Sequence, residues 1–412
     1  MLSRRAFFRK SVQAGVASSA SHAGLAHAQV EELESVSKFM ATFVSTRNVP
    51  GASLAVTKAG RLVYARGFGM ADATQPVRPT DLFRIASISK PLTAVAVLQL
   101  VQKGDLAVNA SVWAVLGLTE PSDARWKLCT IWHLLHHMGG WDDTVFDPMF
   151  QSTRIAAAMK VGLPLDHSTL IRFVLERPLQ FAPGERFAYS NFGYCLLGRV
   201  IERISGLTYE QYVGTQVLAP LGIKRMRLGR TQLAQRATEE VTYHDDRVRT
   251  AATVLDRTGQ QVPLPHGAWS LELMDANGGW LASAPDLAKF ACAFDDPARC
   301  PILNPQSIAL MLARPDGPAG VESGGNYPGC AWFVWPNGGA YAHRAYMSST
   351  GLLAGSSSYL MRRNDGVNWV VLFNKAYGSD GKLLMLSFRD ASGEVFNAVE
   401  RWPASDQFPT LM

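Results

Sequence analysis

Strand-like segments lie near both ends of this 412-residue chain, and a long helix-rich stretch separates them. Gly51 to Thr57 and Leu62 to Gly67 are β-branched and aromatic runs around Lys58-Ala59-Gly60-Arg61, which is a hairpin pattern. Further strand candidates near the other end are Ala331 to Val334, Ser356 to Met361 and Val367 to Phe373. Residues 106–269 show little strand pattern. This order predicts one α/β domain, residues 29–105 and 270–412, into which a mostly helical domain, 106–269, is inserted.

Apolar residues at a spacing of 3.6 predict several amphipathic helices. The predicted helices are Glu31 to Val44, Leu92 to Val101 with Gly104 as its C-cap, Phe192 to Ile204 with Asn191 at its start, Ala284 to Phe294, and Lys382 to Trp402. Gly393 weakens the middle of the last of these helices.

Composition and charge exclude several classes of protein. Apolar residues make up 47% of the chain and charged residues 18%, a balance typical of a globular protein. No run of about eighteen apolar residues is present, so we expect no membrane span. The net charge is +6, but the first 28 residues hold four basic residues and no acid, and without them it falls to +2. We therefore expect no nucleic-acid partner.

The first 28 residues are similar to an export signal. Arg4 and Arg5 precede an apolar, small-residue stretch that ends in Ala26-His27-Ala28, a pattern that signal peptidase accepts. The segment resembles a twin-arginine signal, which predicts delivery by the twin-arginine machinery to the periplasm. The alternative is a basic N-terminal helix that stays attached.

The five cysteines are too few and too scattered for a disulfide framework. An oxidising compartment would permit one bridge, and Cys292 with Cys300 is the nearest pair along the chain. The alternative is that these thiols are simply buried.

A serine and a lysine three residues apart, Ser87 and Lys90, form a Ser-x-x-Lys pattern at the start of a predicted helix. Spacing of three on a helix places both side chains on one face. Pro91 is tolerated only near a helix start, so Ser87 lies where backbone N–H groups are free and the helix dipole favours a developing oxyanion. A hydroxyl needs a partner that accepts its proton, and a desolvated lysine is such a partner.

Ser-x-x-Lys alone is weak. A second copy, Ser35 to Lys38, lies in the first predicted helix, where a solvated face explains it. For the copy at Ser87, the alternative to catalysis is an N-cap serine followed by a surface lysine.

Tyr189-Ser190-Asn191 follows the turn Pro183-Gly184 and precedes an apolar helix. A tyrosine on such a loop can direct its hydroxyl into a cleft, and we expect a nearby ammonium to lower its pKa so that the phenoxide acts as a general base. The alternative is a turn tyrosine with Asn191 as the helix N-cap.

Together these segments resemble the serine β-lactamase and penicillin-binding-protein superfamily, in particular its class C β-lactamase-like branch. Two more stretches are similar to that branch: TIWHLLHHMGG from Thr130 to Gly140, and GGWLASAPDLAKF from Gly278 to Phe290. The branch includes D-alanyl-D-alanine carboxypeptidases, D-aminopeptidases, acyltransferases and family VIII carboxylesterases. The resemblance implies a mainly antiparallel sheet flanked by N- and C-terminal helices, with an inserted helical domain.

The resemblance also implies roles for individual residues. Ser87 would be the acylated nucleophile, Lys90 its proton partner, and Tyr189 the base that serves the leaving group and the deacylating water. Asn191 would orient the substrate or Lys90. One oxyanion-hole N–H would come from Ser87 and the other from an edge strand that follows a third motif.

That third motif departs from the family, which usually has Lys-Thr-Gly or His-x-Gly. Here Ser349-Thr350-Gly351 stands in its place and Leu352 would supply the second oxyanion N–H, while His343-Arg344-Ala345 is a competing alignment with a basic residue but no glycine. We favour the first because we expect glycine to let substrate approach the backbone. A missing cation favours uncharged substrates, although Arg344 could supply the charge.

Other constellations have simpler explanations. His133, His136 and His137 have no acidic third ligand, so we expect no metal, and no cofactor is implied. The tryptophans at 141, 280, 332 and 335 could line an acyl pocket or build the core. GSSS at 355–358 is not a Gly-x-Ser-x-Gly elbow, which counts against an α/β-hydrolase.

The sequence therefore predicts a serine hydrolase that forms an acyl-enzyme on Ser87 and cleaves small carboxylic esters. A β-lactam or a D-amino-acid peptide is the alternative substrate for the same chemistry. A non-catalytic binder of cell-wall peptides is the alternative from another class.

Overall fold

The computed structural model describes residues 34–245, 249–317, 325–336 and 346–412. The predicted signal peptide, residues 1–28, and the competing third motif, His343-Arg344-Ala345, lie outside the described residues. Within the described ranges, no helix has the length and apolarity that crossing a bilayer requires.

The described strands are numbered in chain order. They are β1 Gly51–Lys58, β2 Arg61–Gly69, β3 Phe83–Arg84, β4 Arg227–Leu228, β5 Thr250–Ala252, β6 Gln261–Pro263, β7 Trp280–Ala282, β8 Tyr327–Pro328, β9 Phe333–Trp335, β10 Tyr346–Leu353, β11 Ser356–Arg363 and β12 Val367–Phe373.

The described α-helices are numbered in the same way. They are α1 34–46, α2 Ser89–Lys103, α3 Val112–Leu116, α4 Ile131–Leu135, α5 Ser152–Met159, α6 His167–Leu175, α7 Asn191–Ser205, α8 Tyr209–Tyr212, α9 Asp275–Gly278, α10 Ala284–Cys292, α11 Pro305–Met311, α12 Leu384–Asn397 and α13 Phe408–Leu411. Short 3-10 turns cover Ala86–Ile88, Ala124–Leu128, Pro148–Phe150, Ala219–Leu221, Leu233–Gln235, Leu264–His266 and Pro297–Arg299, and a π-helical turn covers Val213–Leu218.

Seven of the described strands form one antiparallel sheet in the order β2-β1-β12-β11-β10-β9-β8. The predicted hairpin is β1 and β2, and the predicted strand Val367 to Phe373 is β12. β1 pairs with β12 from Ala52 opposite Phe373 to Lys58 opposite Val367, so strands from the first and the last part of the chain lie side by side next to the β2 edge of the sheet. The mainly antiparallel α/β fold is confirmed.

The sheet separates two apolar clusters, and the alternation of β12 shows how. Trp369, Val371 and Phe373 pack with the first and last long helices, α1 and α12, whereas Val370 and Leu372 belong to the larger cluster on the other face. Successive side chains of a strand point to opposite faces, so a strand buried on both faces is apolar throughout. Each large side chain buried in this way contributes about 1.5–3 kcal/mol.

The stretch predicted as an inserted helical domain contributes α3 to α8 and also the short strands β4, β5 and β6, which the sequence analysis did not predict. Strands of two or three residues are too short to show a periodic pattern. The larger apolar cluster runs without a break from Leu92 and Val95 of α2 to Leu196 and Val200 of α7. The domain boundaries at 105/106 and 269/270 stay a prediction.

Several helix ends differ by a few residues from the predicted positions. α2 begins at Ser89, so Pro91 lies in its first turn, and Gly104 at φ +82° is its C-cap as predicted. The last long helix covers Leu384–Asn397 rather than 382–402. The predicted strand Ala331 to Val334 is β9, Phe333–Trp335, because Ala331 has φ +67° and cannot continue a strand.

Candidate active site

Ser87 lies in the tight turn Ala86–Ile88, between β3 and α2. The turn is anchored on both sides: the Ile85 N–H donates to Trp280 O at 3.0 Å, and the Trp280 N–H donates to Ser89 Oγ at 3.2 Å. Ala86 has φ +47°, a left-handed conformation that costs a non-glycine residue about 1–2 kcal/mol. The packing around the turn therefore holds the serine in a position that its backbone would not choose alone.

Lys90 lies one turn further along, on the same face as predicted, and its Nζ is 3.0 Å from Ser87 Oγ. The ammonium end is buried, since only 2% of the residue is exposed. Lys90 Nζ has two further partners, both oxygen atoms that accept: it donates to Asn191 Oδ1 at 2.7 Å and to the carbonyl oxygen of Asn277 at 2.7 Å.

Burial lowers the pKa of Lys90 to about 7, although the carboxyl groups of Asp143 and Asp147 act in the opposite direction and raise it. Desolvation disfavours the ammonium form, which is the first cause of the shift. A lysine with this pKa is partly an amine at neutral pH and can accept a proton. The desolvated lysine that the sequence analysis required is present at this position.

Tyr189 reaches the same oxygen from the other side, and its hydroxyl donates to Ser87 Oγ at 2.6 Å. Its backbone is held by the Asp143 N–H, which donates to Tyr189 O at 3.0 Å. The His137 ring stacks on the phenol ring with 4.5 Å between centroids, and His137 Nδ1 accepts the Ser190 N–H at 3.2 Å. The structure thus brings Ser87, Lys90 and Tyr189 together around one oxygen atom.

The expectation that a neighbouring ammonium lowers the pKa of Tyr189 is wrong. Burial raises the pKa of this phenol, the hydrogen bond to Ser87 only partly opposes the rise, and Asp143 and Asp147 add to it. Desolvation favours the neutral form of a phenol, so Tyr189 stays protonated at neutral pH. Tyr189 in the resting site is therefore a hydrogen-bond donor and not a phenoxide base.

The three histidines of the stretch from Thr130 to Gly140 have separate partners. His133 Nδ1 accepts the Thr130 N–H at 3.2 Å in a capping box, and His136 contacts the carbonyl oxygens of Trp132 and Ala313. Burial lowers the pKa of His137 well below its usual value, so its ring is neutral. Among the described residues, no group of three or more His, Cys, Asp or Glu side chains is placed to hold a metal.

Asn191 begins α7, but Ser190 is the N-cap and accepts the Gly193 N–H at 3.3 Å. The Asn191 side chain is therefore free for the site, and it lies between Lys90 and two carboxyl groups. The backbone N–H of Asn191 donates to Asp143 Oδ2 at 2.7 Å, and its side-chain Nδ2 donates to Asp147 Oδ2 at 2.7 Å.

Sequence reasoning missed Asp143, Asp147 and Asn277, all of which touch the site. The available signal was weak: Asp142, Asp143 and Asp147 form an acidic group just after the stretch that ends in Gly140, and Asn277 directly precedes Gly278. Burial raises the pKa of Asp143 to about 8 and also raises the pKa of Asp147. Both carboxyl groups are thus part of the electrostatics of Lys90.

The favoured third motif lies on β10, which borders the cavity through Ser349, Thr350 and Leu352. Among the described residues, β10 pairs with β9 only over Tyr346 to Ser348, so the segment from Ser349 onward has no β9 partner. β10 is therefore inside the sheet at its start and an edge at its end. The sequence analysis expected an edge strand beside the nucleophile, and β10 is one only from Ser349 onward.

The reason for glycine at 351 was misjudged. Gly351 does not line the cavity, and a Cβ built on it would lie 2.1 Å from the carbonyl oxygen of Ile85 and 2.3 Å from Ser358 Oγ. The missing side chain therefore admits the backbone that carries the nucleophile, and not the substrate. Ser358 Oγ–H donates to the same Ile85 oxygen at 3.0 Å and completes this close contact.

A cavity of about 350 Å³ opens over Ser87. Its walls are mainly apolar and include Phe150, Phe187, Met274, Trp332, Phe333 and Leu352. Of the tryptophans considered for an acyl pocket, Trp332 lines it, whereas Trp141, Trp280 and Trp335 do not. Trp141 and Trp280 are buried in the core, and so is most of Trp332. Lys90 is the one cationic side chain among the described residues of the lining.

The five cysteines are free thiols in the structure, including Cys292 and Cys300, which were the candidate pair for a bridge. Burial raises the pKa of both thiols. The decoy motif Ser35 to Lys38 lies on α1 with Ser35 and Lys38 exposed, as a solvated face requires.

Comparisons with known proteins show which family the chain is similar to. The family described as Beta-lactamase matches residues 36–388. Esterase EstB of Burkholderia gladioli is 30% identical over 373 residues, which cover 84% of this chain and 91% of the esterase. Penicillin-binding protein 4* of Bacillus subtilis (strain 168) is 30% identical over 194 residues, 45% of this chain and 39% of that protein.

Solved structures show the same fold. EstCE1, a hydrolase with promiscuous acyltransferase activity, superposes with a TM-score of 0.68 at 20% identity and covers 91% of this chain and 99% of its own. D-amino acid amidase from Ochrobactrum anthropi SV3 superposes with a TM-score of 0.69 at 20% identity and covers 90% of this chain and 99% of its own.

Proposed function

We propose that this chain, which belongs to the beta-lactamase family and is a serine hydrolase, cleaves small carboxylic esters through an acyl-enzyme on Ser87. The observation that carries the proposal is the convergence on Ser87 Oγ of Lys90 Nζ at 3.0 Å and the Tyr189 hydroxyl at 2.6 Å. Reach of this kind is the first requirement for proton transfer to and from a nucleophile.

Acylation begins when Lys90, as an amine, takes the hydroxyl proton of Ser87 while Oγ attacks the ester carbonyl carbon. A neutral lysine has two N–H donors and one lone pair. Asn191 Oδ1 and Asn277 O occupy the two donors, so the lone pair is left for the Ser87 hydroxyl. The acid–base chemistry of this step therefore depends on Lys90 and not on a Tyr189 phenoxide.

Tyr189 acts in the second half of acylation. Its phenol, kept protonated by burial, donates its proton to the alkoxide that leaves when the carbon–oxygen bond of the ester breaks. The ammonium of Lys90, which lies against the same Ser87 oxygen as the Tyr189 hydroxyl, then returns a proton to the phenoxide. The alcohol departs and Ser87 carries the acyl group.

Deacylation repeats these steps with water as the nucleophile. Lys90 takes a proton from water as the water oxygen attacks the acyl carbon, and Tyr189 gives its proton to Ser87 Oγ as the acid leaves. The Lys90 ammonium then returns a proton to the Tyr189 phenoxide, which restores the resting site. The oxyanion of each tetrahedral intermediate would be held by the N–H groups of Ser87 and of Leu352, with Ser349 and Thr350 beside the bound substrate. Asn191 would orient Lys90.

The lining of the cavity supports an uncharged substrate. By the favoured alignment, Ser349 takes the place of the family's usual lysine or histidine, and Lys90 is the one cation among the described lining residues. Lys90 is already occupied by Ser87, Asn191 and Asn277, so it has no donor left for a substrate carboxylate. Apolar walls, with no free cation among the described lining residues, favour esters over β-lactams and D-alanyl peptides, which carry a carboxylate.

The experiment compares wild type, Ser87→Ala and Ser35→Ala on p-nitrophenyl acetate, with a fluorophosphonate probe as the covalent readout. Ser35 belongs to the exposed decoy motif and is the matched control. We expect Ser87→Ala to lose both turnover and labelling, and Ser35→Ala to keep both. Turnover that survives in Ser87→Ala would refute the proposal.

Rates on a nitrophenyl ester series, a chromogenic cephalosporin and a D-alanyl peptide then separate the substrates. We expect a nitrophenolate burst followed by steady turnover on esters. A burst without turnover would indicate a penicillin-trapping protein, and neither phase would indicate a non-catalytic binder.

We also propose that the chain is exported to the periplasm by the twin-arginine machinery, on the basis of Arg4, Arg5 and the Ala26-His27-Ala28 site. The N-terminus of the periplasmic protein should follow Ala28. Replacing Arg4 and Arg5 by lysine should leave the protein uncleaved in the cytoplasm, and an unchanged periplasmic yield would contradict this route.

A further inference from the structure

The segment from Asp142 to Phe150 is joined to Tyr189 and Asn191 by three hydrogen bonds. The Asp143 N–H donates to Tyr189 O at 3.0 Å, Asp143 Oδ2 accepts the Asn191 N–H at 2.7 Å, and Asp147 Oδ2 accepts Asn191 Nδ2 at 2.7 Å. These contacts join positions more than forty residues apart. The segment therefore forms a clamp on the residues that face the nucleophile.

Asp147 is fully committed as an acceptor. Its Oδ1 accepts the Met149 N–H at 3.0 Å and caps the turn Pro148–Phe150, while its Oδ2 accepts from the Asn191 side chain. An acceptor at this place can be met only by the NH₂ end of the Asn191 amide. Asp147 thus decides which end of that amide faces away from it.

The opposite end of the amide, Asn191 Oδ1, faces two donors. Lys90 Nζ lies at 2.7 Å and Asn277 Nδ2 at 3.3 Å. If the amide turned over, its NH₂ group would face Lys90, and the lone pair of the amine would accept from Asn191 instead of from the Ser87 hydroxyl. The orientation of one amide therefore selects the direction in which the base of the site points.

We propose that Asp147 is a positioning residue for the Ser87 chemistry, which fixes the Asn191 amide so that the lone pair of Lys90 is directed at Ser87 Oγ. This inference rests on the proposed acyl-enzyme function and adds a residue to it that does not touch the substrate. Asp143 supports the same arrangement through the backbone of Asn191.

Several titratable groups face Lys90 from the elements packed around it. They are Asp143 and Asp147 of the clamp, Tyr189 and Tyr194, whose ring centres lie 4.8 and 5.8 Å from Nζ, and the neutral His137. The two carboxyl groups raise the pKa of Lys90 and burial lowers it. Loss of the Asp147 charge must therefore move the Lys90 titration to lower pH.

The test uses Asp147→Asn and Asp147→Ser, with kcat/KM for p-nitrophenyl acetate measured from pH 5 to pH 9. Both asparagine and serine cap a helical turn well, so the cap on Met149 is kept in both. When the asparagine caps through its oxygen, it presents its NH₂ group to Asn191 and turns that amide over. Serine is too short to reach it. We expect Asp147→Asn to lose kcat/KM at least about tenfold, and to lose more than Asp147→Ser although it is the closer isostere.

In both variants we expect the acidic limb of the kcat/KM profile to move to lower pH by about half a unit or more. A residue that only stabilised the loop would lower the amount of folded enzyme without moving this limb. Asp142→Asn is the matched control, because Asp142 lies in the same segment but pairs with Arg186 at 3.0 Å and not with Asn191. It should leave the limb in place.

The inference is overturned if the limb stays in place in both variants, or if Asp147→Asn is no worse than Asp147→Ser. Should Asp147→Asn fold poorly, the pH profile of Asp147→Ser decides. Failure of the proposed function is a separate result, since it would show as turnover by Ser87→Ala in an otherwise wild-type chain.

Discussion

Gly351 gives a sharp test of how β10 supports the nucleophile, through the substitution Gly351→Ala. The new Cβ would lie 2.1 Å from Ile85 O and 2.3 Å from Ser358 Oγ, where an ordinary contact is no closer than 3.4 Å. The obstruction is backbone on one side and a hydrogen-bonded hydroxyl on the other, so neither can move freely. No left-handed φ is involved at this glycine, and the effect is purely steric.

The size of the expected effect follows from the displacement. Relief of the contact needs a shift of roughly 1 Å in β10 or in the turn that begins at Ile85, and overpacking of this kind costs about 1–3 kcal/mol in the free energy of unfolding. Ser87 lies two residues from Ile85 and moves with it. A displacement of roughly 1 Å at the reacting atoms lowers kcat/KM about 100-fold.

The assay measures kcat/KM on p-nitrophenyl acetate and the midpoint of thermal unfolding for wild type, Gly351→Ala and Gly162→Ala. Gly162 is the matched control, because a Cβ there meets no atom within 4 Å. We expect the control to match wild type in both measurements. Gly351→Ala with wild-type midpoint and wild-type kcat/KM would refute the steric reasoning, and a lowered midpoint with unchanged kcat/KM would show that β10 yields and the nucleophile turn does not.

Two further predictions concern charge. Lys90 has a pKa of about 7 and must be an amine to accept the Ser87 proton, so kcat/KM should rise with pH through an apparent pKa near 7. Because burial raises the pKa of the Tyr189 phenol, this group should cause no loss of kcat/KM below about pH 10. A profile that is flat from pH 5 to pH 9 would contradict the role of Lys90. The Arg84 side chain is 2% exposed and pairs with Glu240 at 3.3 Å. Glu240→Gln leaves this arginine as an uncompensated buried charge, so it should lower the free energy of unfolding by about 3–5 kcal/mol in a denaturant titration. A loss below about 1 kcal/mol would contradict this prediction.

Local patterns were enough to predict much of the fold. β12 coincides with the predicted strand Val367 to Phe373, and Pro91 and Gly104 mark the first turn and the C-cap of α2 as predicted. Such features depend on neighbours in the chain, through alternation, the missing N–H of proline and the left-handed φ of glycine. β4, β5 and β6 escaped prediction because two or three residues carry no period.

The residues of the active site could be predicted only where they belong to a recognisable sequence motif. The segments with Ser87, Lys90 and Tyr189 were found in this way, whereas Asp143 and Asp147 reach Asn191 from more than forty residues away and belong to no pattern. The pKa of Tyr189 was predicted in the wrong direction because its burial depends on elements distant in sequence. For Gly351, the neighbour that demands glycine is Ile85, which no local pattern indicates.

The pairing of β1 with β12 decides when this molecule can finish folding. Gly51 donates its N–H to Asn374 Oδ1 across a sequence separation of 323, and the aromatic rings of Phe43 and Phe388, 5.6 Å apart, connect the first long helix to the last. Until the ribosome has released the C-terminal strands, β1 and β2 are an isolated two-stranded ribbon, which is marginal in water. The sheet can therefore form only after the whole chain has been synthesised. A truncation just before β12 should leave a chain that depends on chaperones.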